Sequence, residues 1–216
     1  MKTLSIDFVS DVVCPWCAIG LSSLEIALKK LEGEVAVELR FRPFELHPDM
    51  GPEGAEVLPY LAKKYGMSAA QVEHNQRQIA ERGAAVGFEF RMDRRGRTWN
   101  TFAAHRLLHW AGEVGALQQR ALKQALLAAH FTEGENPGAR EVLLRCAERA
   151  GLDAQRAAAV IDGDEFADAV RAEETRWRDA GITSVPSVVV NQRWLIQGGQ
   201  PPELFEQSLR EIAAQV

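Results

Sequence analysis

The sequence predicts an α/β protein in which an N-terminal βαβ unit and a C-terminal ββα unit flank one large all-helical insertion. Three observations predict it. Strand-like alternation occurs twice near the start, at residues 3–9 and 35–41, with a helical stripe between the two. From about residue 53 to about 180 the chain turns to Ala, Leu, Glu, Gln and Arg in helical stretches punctuated by Gly. Strand character then returns at 187–190 and 194–197, ahead of a last helix.

Leu4, Ile6 and Phe8 share one face of the first strand. Ser10 to Val13 connects it to a helix whose apolar positions are Cys17, Leu21, Leu24, Leu28 and Leu31, with Gly33 as its stop. Pro15 suits the first turn of that helix, where a missing N–H costs nothing. Val35, Val37, Leu39 and Phe41 then alternate with Glu34, Ala36, Glu38, Arg40 and Arg42, the pattern of a strand with one solvated face. Strand, helix and strand on short connections imply a right-handed crossover and a parallel pair.

Residues 43–52 carry three prolines and read as a loop. Helices are expected over roughly 53–65, 68–86, 100–113, 115–131, 138–150, 153–161 and 164–180, with ends uncertain by a few residues. Gly87 to Arg97 reads as a polar excursion between helices. Asn191-Gln192-Arg193 turns one late strand into the next as an antiparallel hairpin. The last helix offers the stripe Phe205, Leu209, Ile212, Ala213 and Val216. The helical block is too long for a loop and reads as a subdomain. This divides the chain into residues 1–48 with 181–216, and an inserted 49–180.

With 216 residues, 46% of them hydrophobic and 25% charged, the chain can bury a sizeable core. The net charge of −5, with no basic stretch, argues against a nucleic-acid partner. No run approaches the roughly 18 apolar residues of a membrane span. Asp7 and Asp11 break the N-terminal segment, which therefore reads as a strand and not as a secretory signal. The expectation is a cytoplasmic protein with no membrane partner.

Three cysteines are present, Cys14, Cys17 and Cys146. In a reducing compartment a lone Cys-x-x-Cys is more often catalytic or metal-binding than structural. Three apart at the start of a helix, Cys14 and Cys17 lie on the same side. Unpaired N–H groups and the positive dipole end favour a thiolate there. Cys14, at the helix end, is expected to be the more exposed thiol and the nucleophile, and Cys17, continuing the Leu stripe, the shielded thiol that resolves a mixed disulfide. Zinc would need two more ligands, and none of the five His has finger-like spacing, so no metal is expected. Cys146 lies on the stripe Val142, Leu143, Cys146, Ala147, Ala150 and reads as a buried structural thiol.

Asp11 reads as a helix-side cap, ahead of the alternative of a polar neighbour to the thiol. Asn100 reads equally as the N-cap of an inserted helix or, with Thr101 and His105, as a substrate-facing group. His105 is either a packed residue or a general base near the dithiol. Trp99, Trp110, His130 and Phe131 are candidates to line a cleft between the subdomains. Pro186 stands where proline is tolerated as the first residue of a strand.

Asp11 to Gly20 (DVVCPWCAIG), Pro43 to Pro48 (PFELHP), Trp99 to Leu107 (WNTFAAHRL), Thr183 to Ser187 (TSVPS) and Ile196 to Pro201 (IQGGQP) span almost the whole chain. In combination they resemble the DsbA-like branch of the thioredoxin superfamily, and more narrowly its cytoplasmic FrnE-type proteins. The resemblance implies a thioredoxin fold with a helical insertion, and a thiol–disulfide oxidoreductase or isomerase acting on a disulfide-containing protein or small molecule. It implies that Pro186 is cis and packs beside the dithiol. It also implies that Val185 offers backbone hydrogen bonds to an extended substrate strand, a short β-augmentation. Pro15, Trp16, Val185 and Pro186 are then the substrate-binding residues around Cys14 and Cys17. No bound cofactor is implied, although glutathione is a candidate redox partner, and some members of the family form homodimers through the insertion.

Trp16 stands where the periplasmic relatives carry His, so imidazolium help for the Cys14 thiolate is absent and strongly oxidising behaviour is not implied. The kappa-class glutathione transferases and the hydroxychromene carboxylate isomerases resemble this chain in layout, but carry Ser at the position of Cys14 and lack the second cysteine. Glutathione-dependent transfer or isomerisation is therefore the second hypothesis. A peptide-binding chaperone is the third.

Overall fold

The computed structural model describes residues 2–216. β1 (Lys2–Ser10), α1 (Pro15–Lys30) and β2 (Val35–Pro43) form the expected βαβ unit, with Lys2 opposite Val35 and Ser10 opposite Pro43 in a parallel ladder. The late strands β5 (Ser187–Val190) and β6 (Trp194–Gln197) pair antiparallel, and β5 also runs antiparallel to β1. The sheet order is β2-β1-β5-β6. Asn191 and Gln192 both have positive φ, 49° and 55°, the conformation of the tight turn that matches strand twist. Asn191 is held there because its Oδ1 accepts the Ser5 N–H at 2.8 Å. The last helix, α9 (Pro202–Ala214), buries Phe205, Leu209, Ile212 and Ala213 as expected, whereas Val216 lies beyond its end and is exposed.

The insertion holds a small antiparallel clip, β3 (Ala55–Glu56) with β4 (Arg97–Thr98), and seven α-helices. These are α2 (Val57–Tyr65), α3 (Ala69–Ala85), α4 (Phe102–Val114), α5 (Ala116–Ala128), α6 (Arg140–Arg149), α7 (Ala154–Asp162) and α8 (Ala167–Asp179). The helix expected from residue 53 starts only at Val57. Residues 55–56 pair instead with 97–98, and Arg97 Nη2 donates to the Glu53 carbonyl at 2.8 Å. A two-residue ladder has no periodicity to read in advance. α3 opens on a capping box, with Ser68 N–H donating to Gln71 Oε1 at 2.8 Å and Gln71 N–H to Ser68 Oγ at 3.3 Å. α5 continues into a π-helical turn, Ala129–Glu133.

β1 is the central strand, so both of its faces are covered. Leu4, Ile6 and Phe8 pack with α1 and α9, while Val9 packs with Phe44, Trp177 of α8 and Ile182. A second core lies within the insertion, around Leu107, Leu122, Leu126, Leu143 and Val160, and Cys146 is fully buried in it. Packing crosses the division drawn at residues 48 and 180. Phe90, Leu127 and Phe131 of the insertion join the sheet's core, and Val12 and Val13 join the helical one. At Phe41 the edge of β2 is capped by a side chain: Gln119 of α5 accepts the Phe41 N–H at 3.0 Å and donates to the Phe41 carbonyl at 3.1 Å. It thus stands in for a missing strand partner. This junction places α5 directly behind the start of α1.

Candidate active site

Cys14 is the N-cap residue of α1, in extended conformation, with Pro15 at the first helical position. Cys17 N–H donates to the Cys14 carbonyl at 3.0 Å. No side chain caps the helix, so the expected Asp11 cap does not form. The carboxylate of Asp11 turns inward instead: Oδ2 accepts the Leu46 N–H at 2.8 Å, and Oδ1 lies 3.3 Å from His105 Nε2. A carboxylate this deeply buried needs partners that a solvated first turn does not supply. Burial pushes its pKa upward, but the His105 bond and charge, the Leu46 N–H and the charge of Lys123 outweigh burial and hold it at about 2.

The two thiols are both enclosed. Cys14 is 3% exposed and Cys17 0%, so Cys14 is the more exposed of the two but far less open than a solvated helix end. Cys14 lies at the floor of a cavity roofed by the insertion, with its Sγ 3.6 Å from the Val185 carbonyl oxygen. Burial pushes the Cys17 thiol well above the ordinary thiol range, and the neighbouring Cys14 adds to this, while the charge of Lys123 acts in the opposite direction. Lys123, from α5, is wholly buried, and its Nζ has no hydrogen-bond partner among the described residues. Its ammonium acts electrostatically on Cys17, Asp11 and Cys14 together.

The Val185–Pro186 bond is cis, as the family pattern implied. Pro186 is buried against α1: a Cβ on Gly20 would lie 3.0 Å from the Pro186 Cγ, and one on Gly199 would lie 2.9 Å from the Trp16 carbonyl oxygen. These approaches explain why glycine stands at both places. Pro15 is half-buried and Trp16 exposed, with the Arg82 guanidinium 5.3 Å from its ring centre. Pro15, Trp16 and Val185 all line the cavity of Cys14.

That cavity measures about 890 Å³ and is walled by the segment Phe44–Pro48, by α2 and α3, and by Arg95. Asn100, Thr101 and His105 do not line it. Asn100 caps α4 from one residue further out than expected, its Oδ1 accepting the Phe102 N–H at 2.9 Å and its Nδ2 donating to the Met50 carbonyl at 3.0 Å. Thr101 occupies the N-cap position and is buried without a side-chain cap bond. His105 is buried against Asp11. Trp110 and Phe131 belong to the two cores, His130 is bonded to Arg95, and Trp99 lies beneath the Arg97 guanidinium, so none of these four aromatics lines the cavity either. A second cavity of about 540 Å³, between β2 and α4, reaches His105 and Lys123 from the far side.

Sequence reasoning missed Lys123 and Arg95. Lys123 carried a signal, since it interrupts the buried stripe Gln119, Leu122, Leu126 of α5. Arg95 sits in the excursion 87–97, where no period marks a buried side chain.

A family model described as DSBA-like thioredoxin domain matches residues 5–210. The chain is 35% identical to a probable DsbA oxidoreductase from Streptomyces coelicolor, whose structure superposes at a TM-score of 0.86, covering 96% of this chain and 89% of that one. A 2-hydroxychromene-2-carboxylate isomerase structure is 13% identical at a TM-score of 0.72, covering 98% and 97% of the two chains. The cytosolic disulfide reductase DsbM of Pseudomonas aeruginosa, solved with GSH, is 19% identical at 0.65, covering 96% and 98%. The last two likenesses show the shared fold. With its sheet order, its cis proline beside a helix-start dithiol and a family match over almost its whole length, the chain belongs to the DSBA-like thioredoxin domain family.

Proposed function

We propose that the protein is a thiol–disulfide oxidoreductase that exchanges disulfides through Cys14 and Cys17. The observation that carries this reading is the inequality of the two sulfurs: Cys14 opens onto the cavity, and Cys17, three residues further into the helix, is sealed from it. The Cys14 thiolate attacks one sulfur of a disulfide R–S–S–R′, and R′–S⁻ leaves. Cys17, as thiolate, then attacks the Cys14 sulfur of the mixed disulfide, and R–S⁻ leaves. The enzyme ends as the Cys14–Cys17 disulfide, and two electrons have passed to the substrate. The reverse sequence oxidises a dithiol. Val185 adds a second support, because its carbonyl faces Cys14 and its N–H donates to no backbone carbonyl among the described residues. That leaves an edge on which an extended substrate segment can pair.

The test is a titration of the reduced protein through glutathione redox buffers, with each cysteine's state read by mass spectrometry. The expected result is a reversible Cys14–Cys17 disulfide in the native chain, a mixed disulfide accumulating on Cys14 in Cys17→Ser, and neither in Cys14→Ser. Absence of the internal disulfide at every poise overturns the reading. Glutathione conjugation or isomerisation surviving in Cys17→Ser would instead favour the transferase-type alternative. Client protection intact in Cys14→Ser would favour a chaperone.

A further inference from the structure

Arg95 is 6% exposed, yet no carboxylate lies within ion-pair distance of it among the described residues. Its Nε donates to His130 Nε2 at 3.3 Å, and its guanidinium stacks 4.9 Å from the Phe131 ring centre. Arginine only donates, so His130 Nε2 carries the lone pair, and Nδ1–H donates to the Glu135 carbonyl at 3.3 Å. His130 is therefore neutral and offsets none of the charge. The Nη groups have no hydrogen-bond partner among the described residues, and Arg95 lines the cavity that contains Cys14. The negative charge among the described residues that acts on Arg95 is that of Cys14, and it is lost once Cys14 forms a mixed disulfide; a buried cation without a counter-charge is costly.

The rest of the cavity has the same sign. Lys64 also lines it, as does Arg178, whose Nη2 lies 4.0 Å from the buried Glu174 carboxylate. The acidic liner, Glu45, has its carboxylate bonded to Arg171. The whole chain is net negative at −5, so this cationic wall is a local feature. Leu61, Val72 and Ile79 give the wall its apolar part, beside the uncharged polar Asn75, Gln76 and Gln78, and about 890 Å³ is the size of a small-molecule site.

We infer that the cavity carries an anion subsite centred on Arg95, and that the disulfide exchanged at Cys14 is a small organic molecule bearing a carboxylate. This rests on the oxidoreductase reading and names the substrate class of the same site. The carboxylate pairs with the free face of the Arg95 guanidinium, Lys64 assists at the mouth, and the disulfide is held over Cys14. Starting from the reduced dithiol, one turnover releases two thiols and leaves the Cys14–Cys17 disulfide, with no other reductant required.

The experiment measures single-turnover rates of the reduced protein with three disulfides of similar size and different charge: dithiodipropionate (dianion), bis(hydroxyethyl) disulfide (neutral) and cystamine (dication). Each rate is divided by that of free mercaptoethanol with the same disulfide, which removes intrinsic reactivity. The expected result is an anion-to-cation preference of about tenfold or more, equivalent to about 1.4 kcal/mol. It collapses in Arg95→Gln, is partly restored in Arg95→Lys and is weakened in Lys64→Gln. Because Arg95→Gln also removes the donor to His130, a second measurement leaves the fold untouched: suberate, a sulfur-free isostere of dithiodipropionate, is tested as a competitor on the native protein, where it should slow the neutral disulfide. Equal normalised rates for the three disulfides, with no competition by suberate, overturn the inference. Failure of all three to react with Cys14 overturns the oxidoreductase reading instead.

Discussion

Lys123 and Asp11 are the residues that set the electrostatics behind the dithiol. Lys123 is a buried ammonium without a hydrogen bond, which costs stability, while its charge favours the thiolate of the sealed Cys17. Lys123→Met should therefore raise stability by about 1–3 kcal/mol, the usual cost of an unsatisfied buried group. The same change should slow the resolving step and move its pH–rate profile to higher pH. Denaturant unfolding and the decay of a preformed Cys14 mixed disulfide measure the two effects. A variant that is less stable and resolves normally would show that the ammonium has partners and no role in exchange. At this scale the cysteines were legible from spacing and context, because Cys-x-x-Cys at a helix start is a local pattern. Asp11 was misread as a cap, since its actual partners, Leu46 and His105, are distant in sequence.

Among the elements, the edge of β2 depends on α5. Gln119 is 5% exposed and satisfies both backbone groups of Phe41, besides donating to the Leu108 carbonyl at 3.1 Å. Gln119→Ala leaves these groups buried and unpaired, and should destabilise the fold by about 2–4 kcal/mol. The expected readout is a lower urea midpoint with a reactive dithiol retained at low denaturant. An unchanged midpoint would mean that water replaces the amide without loss. The helices of the insertion and both sheet units were legible because each repeats over several turns or several alternations. The clip of Ala55–Glu56 with Arg97–Thr98 was not, since two residues carry no period and the pairing closes over forty positions of chain.

For the whole molecule, the buried His130 and the half-buried His47 make stability fall in acid. Burial, with the Arg95 charge in support, holds His130 at about 3, and burial with Lys64 holds His47 at about 4. Both values lie below the ordinary histidine value, so the unfolded chain takes up protons that the folded one refuses. Their contribution is present above about pH 6.5 and is lost progressively as pH falls toward 4 and 3. Each refused proton lowers stability by about 1.4 kcal/mol per pH unit across this window. Thermal unfolding between pH 7 and 5 should show a falling midpoint, with a shallower slope in His130→Asn. An identical slope in that variant would remove His130 from the explanation.

By itself the sequence determined the order of the longer elements, the family and the two cysteines, because each rests on contiguous motifs or on periods that a chain segment carries alone. The tertiary structure decided what surrounds the sulfurs. It set Cys14 at a cavity floor, brought Lys123 from an inserted helix behind Cys17, and left Arg95 unpaired in the cavity wall. The physical reason is that burial and charge depend on which segments meet. Here the meeting segments are the β1–α1 turn, the loop after β2, the excursion before α4 and helix α5, which no sequence period connects.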